Sequence, residues 1–109
     1  MGPTETKRRE LHSILEDILE RNGLKKNVYF QPPETLKMDY PCIVYHRQYL
    51  TGIPADNQKY LIDRQYRIIY IDRSPISDVI DSLLTLKYCR YMSHSVVDGL
   101  NHDAFEIYY

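Results

Sequence analysis

Along the first quarter of the chain, Leu11, Ile14, Leu15, Ile18 and Leu19 recur at i, i+3, i+4, i+7 and i+8, which puts all five on one stripe of an α-helix. Arg8, Arg9, Glu10, Ser13, Glu16, Asp17, Glu20 and Arg21 cover the other side. Thr4 or Thr6 can cap the start, and Asn22-Gly23 supplies a left-handed stop, so the spacing predicts a helix over 7–22. The period then changes. Asn27-Val28-Tyr29-Phe30 reads as a short strand over 28–30 that Pro32-Pro33 stops by removing two backbone donors, and a long loop follows to Tyr40.

Two β-branched and aromatic runs come next, over 42–49 and 60–72, and they read as paired strands. The second is apolar on both faces from Ile68 to Ile71, as a central strand covered on at least one side would be. Between them lies Leu50-Thr51-Gly52-Ile53-Pro54-Ala55-Asp56-Asn57-Gln58, longer than a tight turn needs. Ser74-Pro75 then opens a second amphipathic helix over 75–86, with Ile76, Val79, Ile80, Leu83 and Leu84 on its stripe. Asp78 and Asp81 suit the positive end of its dipole and Lys87 the negative end. Strands over 89–97 and 102–109, joined by Asp98-Gly99-Leu100-Asn101, close the chain as a hairpin. The expected fold is α+β: one domain over residues 1–109, a mixed but mostly antiparallel sheet with two helices packed on it, in the order α-β-β-β-α-β-β. Leu15, Ile18, Leu19, Val79, Ile80 and Leu83 are the expected core, since only packing against the sheet hides both stripes.

Composition adds bounds. Leu, Ile, Val and Phe make up 29 of the 109 residues, enough for one modest core. Net charge is −1 and the isoelectric point about 6.4, which disfavours a protein living by sequence-independent attraction to phosphate. Lys7-Arg8-Arg9 reads as part of a solvated helix face because acids follow it closely. Cys42 and Cys89 stand far apart without a CxxC, so reduced thiols in a soluble intracellular product are expected. No apolar run approaches a membrane span, and the match of Met1-Gly2 and Thr6 to an acylation pattern is short and followed by Pro3.

Catalytic chemistry finds little purchase. His12, His46, His94 and His102 are scattered without HxH or HExxH spacing, neither cysteine has a fixed partner, and no phosphate-cradling glycine motif occurs. Asn101-His102-Asp103 is explained by side-chain bonds to a nearby turn. The expectation is a protein that is not an enzyme and holds no metal or cofactor. What stands out is eleven tyrosines, nearly all on or beside strands. Tyrosine suits assembly surfaces, and it also suits sheets that expose some of it by necessity.

Four phrases carry a resemblance: Arg9-Glu10-Leu11-His12-Ser13-Ile14-Leu15, Val28-Tyr29-Phe30-Gln31-Pro32-Pro33, Tyr40-Pro41-Cys42-Ile43-Val44-Tyr45 and Asp98-Gly99-Leu100-Asn101-His102-Asp103-Ala104-Phe105. With the element order, the chain resembles the tail-terminator or tail-completion proteins of long-tailed bacteriophages. That resemblance implies a homo-oligomeric ring, usually a hexamer, in the virion neck, formed in the host cytoplasm. The ring caps the tail-tube protein, docks on the head-closure protein, and lets DNA pass through its lumen without sequence-specific binding; no membrane is involved. Alternatives are another neck ring, head-closure or adaptor, and a small protein-binding inhibitor or regulator of a host protein; gene position separates the first pair and a mass measurement separates rings from the monomeric inhibitor. The expected interface is Tyr49, Leu50, Ile53 and Pro54 on an extended hairpin tip, with Tyr60, Tyr108 and Tyr109 on an aromatic sheet edge.

Overall fold

The computed structural model describes residues 3–53 and 61–109, with side chains at 5–48 and 65–109. In chain order the elements are α1 (Pro3–Arg21), β1 (Val28–Phe30), β2 (Cys42–Ile53), β3 (Leu61–Asp72), α2 (Asp78–Leu84), β4 (Cys89–Val97) and β5 (Leu100–Tyr108). The α+β fold and its order are those the sequence pattern predicts.

Helix α1 begins at Pro3, a turn before the predicted start at residue 7, because Pro3 loses nothing at a first-turn position and Glu5 pairs with Arg8 and Arg9 one turn on. It stops at the predicted place. Gly23 takes φ 75°, letting the Leu24 amide donate back to the Leu19 carbonyl at 2.9 Å.

The five strands form one sheet in the order β1-β2-β3-β5-β4. Strand β1 runs parallel to β2, with Val28 opposite Ile43 and Phe30 opposite Tyr45; every other pair is antiparallel. The apolar run Ile68 to Ile71 thus lies in a central strand, paired with β2 on one side and β5 on the other. Alternation along the strands sends Ile43, Tyr45, Tyr66, Ile68, Tyr70, Phe105 and Ile107 to one face, where they pack with Leu11, Leu15, Ile18, Leu19, Val79 and Leu83. All the expected core residues are there; Ile80 packs at the margin, half-buried.

Three further boundaries differ from the sequence reading. Leu50 to Ile53 belong to β2 and pair with Arg64 to Leu61, so the supposed loop is largely an extension of the hairpin strands. Cross-strand pairing there outweighs the turn preference of Thr51-Gly52. Helix α2 starts at Asp78, not at residue 75, because Ser77 rather than Ser74 is its cap: the Ser77 hydroxyl accepts from the Val79 amide at 3.2 Å. Ser74 is engaged elsewhere, its amide donating to Asp72 Oδ1 and its hydroxyl to the Ile76 carbonyl, so Ile76 stays off the helical stripe at 85% exposure. Thr85 caps the end of the helix, which stops at Leu84.

The third concerns the last hairpin, whose turn is two residues rather than four. Asp98 and Gly99 both have positive φ, 51° and 75°, and β5 starts at Leu100, opposite Val97, instead of at 102. A β-carbon at Gly99 would meet nothing within 4 Å, so the cost of a side chain there is conformational. Gly99→Ala should therefore cost about 1 kcal/mol, read as a lower urea midpoint at unchanged slope.

Candidate functional site

The helices cover one face of the sheet, leaving for interaction the opposite face and the strand edges. Strand β4 is the outermost strand, and its outer edge has no neighbour among the described residues. Every residue from Arg90 to Val97 is exposed, including Tyr91 at 42%, Met92 at 38%, Val96 at 59% and Val97 at 53%. The devices that usually blunt an edge are sparse on β4: one arginine and one irregularity, between Tyr91 and Ser93, against nine residues of strand.

The other side of the sheet is protected for only part of its length. Strand β1 covers Ile43 to Tyr45, and Gln31 prolongs the cover: its amide donates to the Tyr45 carbonyl at 2.9 Å and its side-chain oxygen accepts from the Arg47 amide at 3.2 Å. Beyond that, β2 and β3 continue as a two-stranded arm. Strand β5 leaves β3 at the Gln65–Tyr108 pair, whereas β2 stays with β3 as far as Ile53–Leu61.

The expected interface residues therefore separate. Tyr49, Leu50 and Ile53 lie in the β2 part of the arm, a strand instead of a loop tip. Pro54 and Tyr60 fall outside the described residues. Tyr108 and Tyr109 do not form a sheet edge, because β5 lies between β3 and β4. The Tyr108 hydroxyl accepts from Gln65 Nε2 at 3.4 Å, and Tyr109, packed beside the core, donates to Glu10 Oε2 of α1 at 3.3 Å. Sequence reading missed β4 as the free edge. Cys89 to Val97 alternate only weakly, with no clean apolar face, and carry no local mark of an outermost strand.

The tyrosines divide between packing and surface. Tyr45, Tyr66 and Tyr70 are core residues. The Tyr45 hydroxyl meets Arg8 at 3.2 Å and His12 Nδ1 at 2.8 Å, and Tyr70 donates to Asp72 Oδ2 at 2.6 Å. Tyr88 and Tyr91 stay exposed at β4. Tyr91 reaches back to donate to the buried Asp103 at 2.8 Å, and His94 bonds Asn101 at 3.0 Å.

The helix-free face is mixed: Val44, Ile69 and Ala104 are register partners on it, and the row beside them is polar. That row of register partners crosses four strands: His46, Arg67, Glu106 and Arg90. Glu106 is buried and holds Arg90 at 2.8 Å. Gln65 Oε1 and Arg67 Nε on this face, with Gln48 Oε1 at the β2 irregularity, are buried without a hydrogen-bond partner among the described residues. Such groups sit at a cost unless water or another molecule reaches them.

Burial holds both thiols neutral, pushing Cys42 up to about 12 and Cys89 up to about 11. Among the described residues no three His, Cys, Asp or Glu come together as metal ligands, and no helix is long and apolar enough to cross a membrane. A shallow depression lined by Arg8, Arg9, His12 and Ser13 lies on α1. No family model and no curated protein matches the chain.

Two histidines give the fold a pH dependence. Burial lowers the pKa of His12, against which the smaller pull of Glu16 does not prevail; burial and then Arg67 lower that of His46. The folded state thus binds fewer protons at these sites than the unfolded chain. Their contribution is present above the ordinary histidine value and is lost as pH falls through the lowered ones. The urea midpoint should drop from pH 7.5 to pH 5.5, and the drop should shrink in His12→Gln/His46→Gln.

Proposed function

We propose that the protein is a structural subunit of the neck of a long-tailed bacteriophage, forming a ring that terminates the tail tube and joins it to the head-closure ring. The observation that carries this reading is the pair of unprotected strand edges on opposite sides of one small sheet, β4 on one side and the arm of β2 on the other. A surface with two different sticky sides makes head-to-tail contacts, and head-to-tail contacts close into rings or run on as filaments. The resemblance of the four sequence phrases supplies the setting. In this role the chain works as a non-catalytic spacer around DNA, with copies of itself, the tail-tube protein and the head-closure protein as partners.

The test is negative-stain electron microscopy of the purified protein mixed with tubes assembled from the tail-tube protein of the same genome. A ring of density capping one tube end is the expected image. A protein that stays monomeric by native mass measurement and leaves both tube ends bare refutes the reading, and a monomer that instead captures a single host protein supports the inhibitor class.

A further inference from the structure

Resting on that ring reading, we infer that β4 of one copy pairs antiparallel with the outer edge of β2 in the next, along Gln48 to Ile53, so that the sheets join into one closed barrel whose helix-free face lines the lumen. The partner is a second copy of this chain because the chain carries both halves of the contact. Among the described residues, β4 has no neighbour along its nine-residue outer edge, and β2 has none beyond Arg47, where the cover from β1 and Gln31 ends. Three antiparallel steps separate β2 from β4, so the two run in opposite directions. Copies standing side by side in the same sense therefore bring β2 and β4 together as an antiparallel pair.

The register fixes how the copies must be offset. Ser93, midway along β4, lies opposite Ala104, which lies opposite Ile69, which lies opposite Val44. The middle of the free β2 segment is about six residues further along the strand, or about 20 Å at the usual rise. Four strands, β2, β3, β5 and β4, lie between one joint and the next, about 19 Å at the usual spacing, since β1 lies outside this repeat; a step of about 20 Å along the strands then tilts them about 45° from the ring axis. Closed barrels tilt their strands by about 35–45°. The offset that joins the two free edges is thus one that lets a sheet close.

The hand of the closure selects the inner face. The β3–α2–β4 connection joins two parallel strands with α2 on the helical face, and right-handed crossovers place β4 to the right of β3 seen from α2 with β3 pointing up. Combined with the direction of the offset, this gives strands that coil right-handed about the axis only when the helices are outside. Native strand twist demands that hand. The lumen then receives the polar row His46, Arg67, Glu106 and Arg90 beside the apolar row Val44, Ile69 and Ala104.

Crosslinking tests this against the ring reading separately. Thr51→Cys in β2 and Ser93→Cys in β4 are combined in a Cys89→Ala chain. Cys42 is kept, since it is buried and held as the unreactive thiol. After native mass measurement, the protein, with and without tail tubes, is treated with a short thiol-to-thiol crosslinker. A ladder of denatured bands rising one subunit at a time to the ring's own count, present in the double variant and absent from each single one, is the expected result. Rings of normal mass that give no ladder overturn the edge pairing and leave the ring reading standing. Dimers from Ser93→Cys alone show β4 pairing with itself and also overturn it. Absence of any ring, with or without tubes, refutes the ring reading and this inference with it.

Discussion

Leu83→Ala should lower the unfolding free energy by about 2–5 kcal/mol, and Leu15→Ala by a similar amount. Both leucines are fully buried and belong to one cluster in which α1, α2 and the sheet meet. Truncation removes transfer free energy and leaves a hole that the rigid strands below cannot fill. Leu83 lies near the end of a helix of only seven residues, too short to be stable alone, so its packing also holds that helix in place. Urea titration followed by circular dichroism measures both losses. Values below about 0.5 kcal/mol at both positions would contradict the packing of two helices on one face.

Met92→Lys with Val96→Lys should abolish ring formation while moving stability by less than about 0.5 kcal/mol per site. Both side chains are exposed on β4, so the folded protomer loses little by exchanging them. An assembled contact, by contrast, would have to strip water from two ammonium groups beside an edge whose own cation is Arg90. Sedimentation of the variant with tail tubes checks this: the expected species is a folded monomer with free tubes. Rings at wild-type yield would move the contact away from β4.

These predictions rest on parts of the molecule that the sequence exposes unequally. Both helical stripes and the central strand are legible because burial imposes a period, and Leu15, Leu19, Val79 and Leu83 keep it. Strand ends are less legible, since pairing decides them at a distance: Leu50 to Ile53 become strand because Leu61 to Arg64 lie alongside. Two serines compete to cap α2, and the winner depends on Asp72 holding Ser74. Strand order is the least legible feature. Nothing local in Cys89 to Val97 says that this strand is outermost, because β5 slots between it and β3 through pairings along its whole length. The candidate interface inherits that gap: the local pattern makes an edge of Tyr108 and Tyr109, whereas the outermost strand β4 carries fewer aromatics.

The depth of Cys42 has a consequence for measuring the protein. A thiol pushed up to about 12 by burial is almost wholly protonated at pH 8, and the side chain has no exposed surface for a reagent to meet. Alkylation at Cys42 must therefore wait for the strands around it to part. Under conditions where reclosing is faster than the reagent, the ratio of its labelling rate to that of an unfolded peptide gives the free energy of opening in water alone. The chain thus carries a native stopwatch for its own breathing, and a partner that clamped the sheet would be seen to slow it.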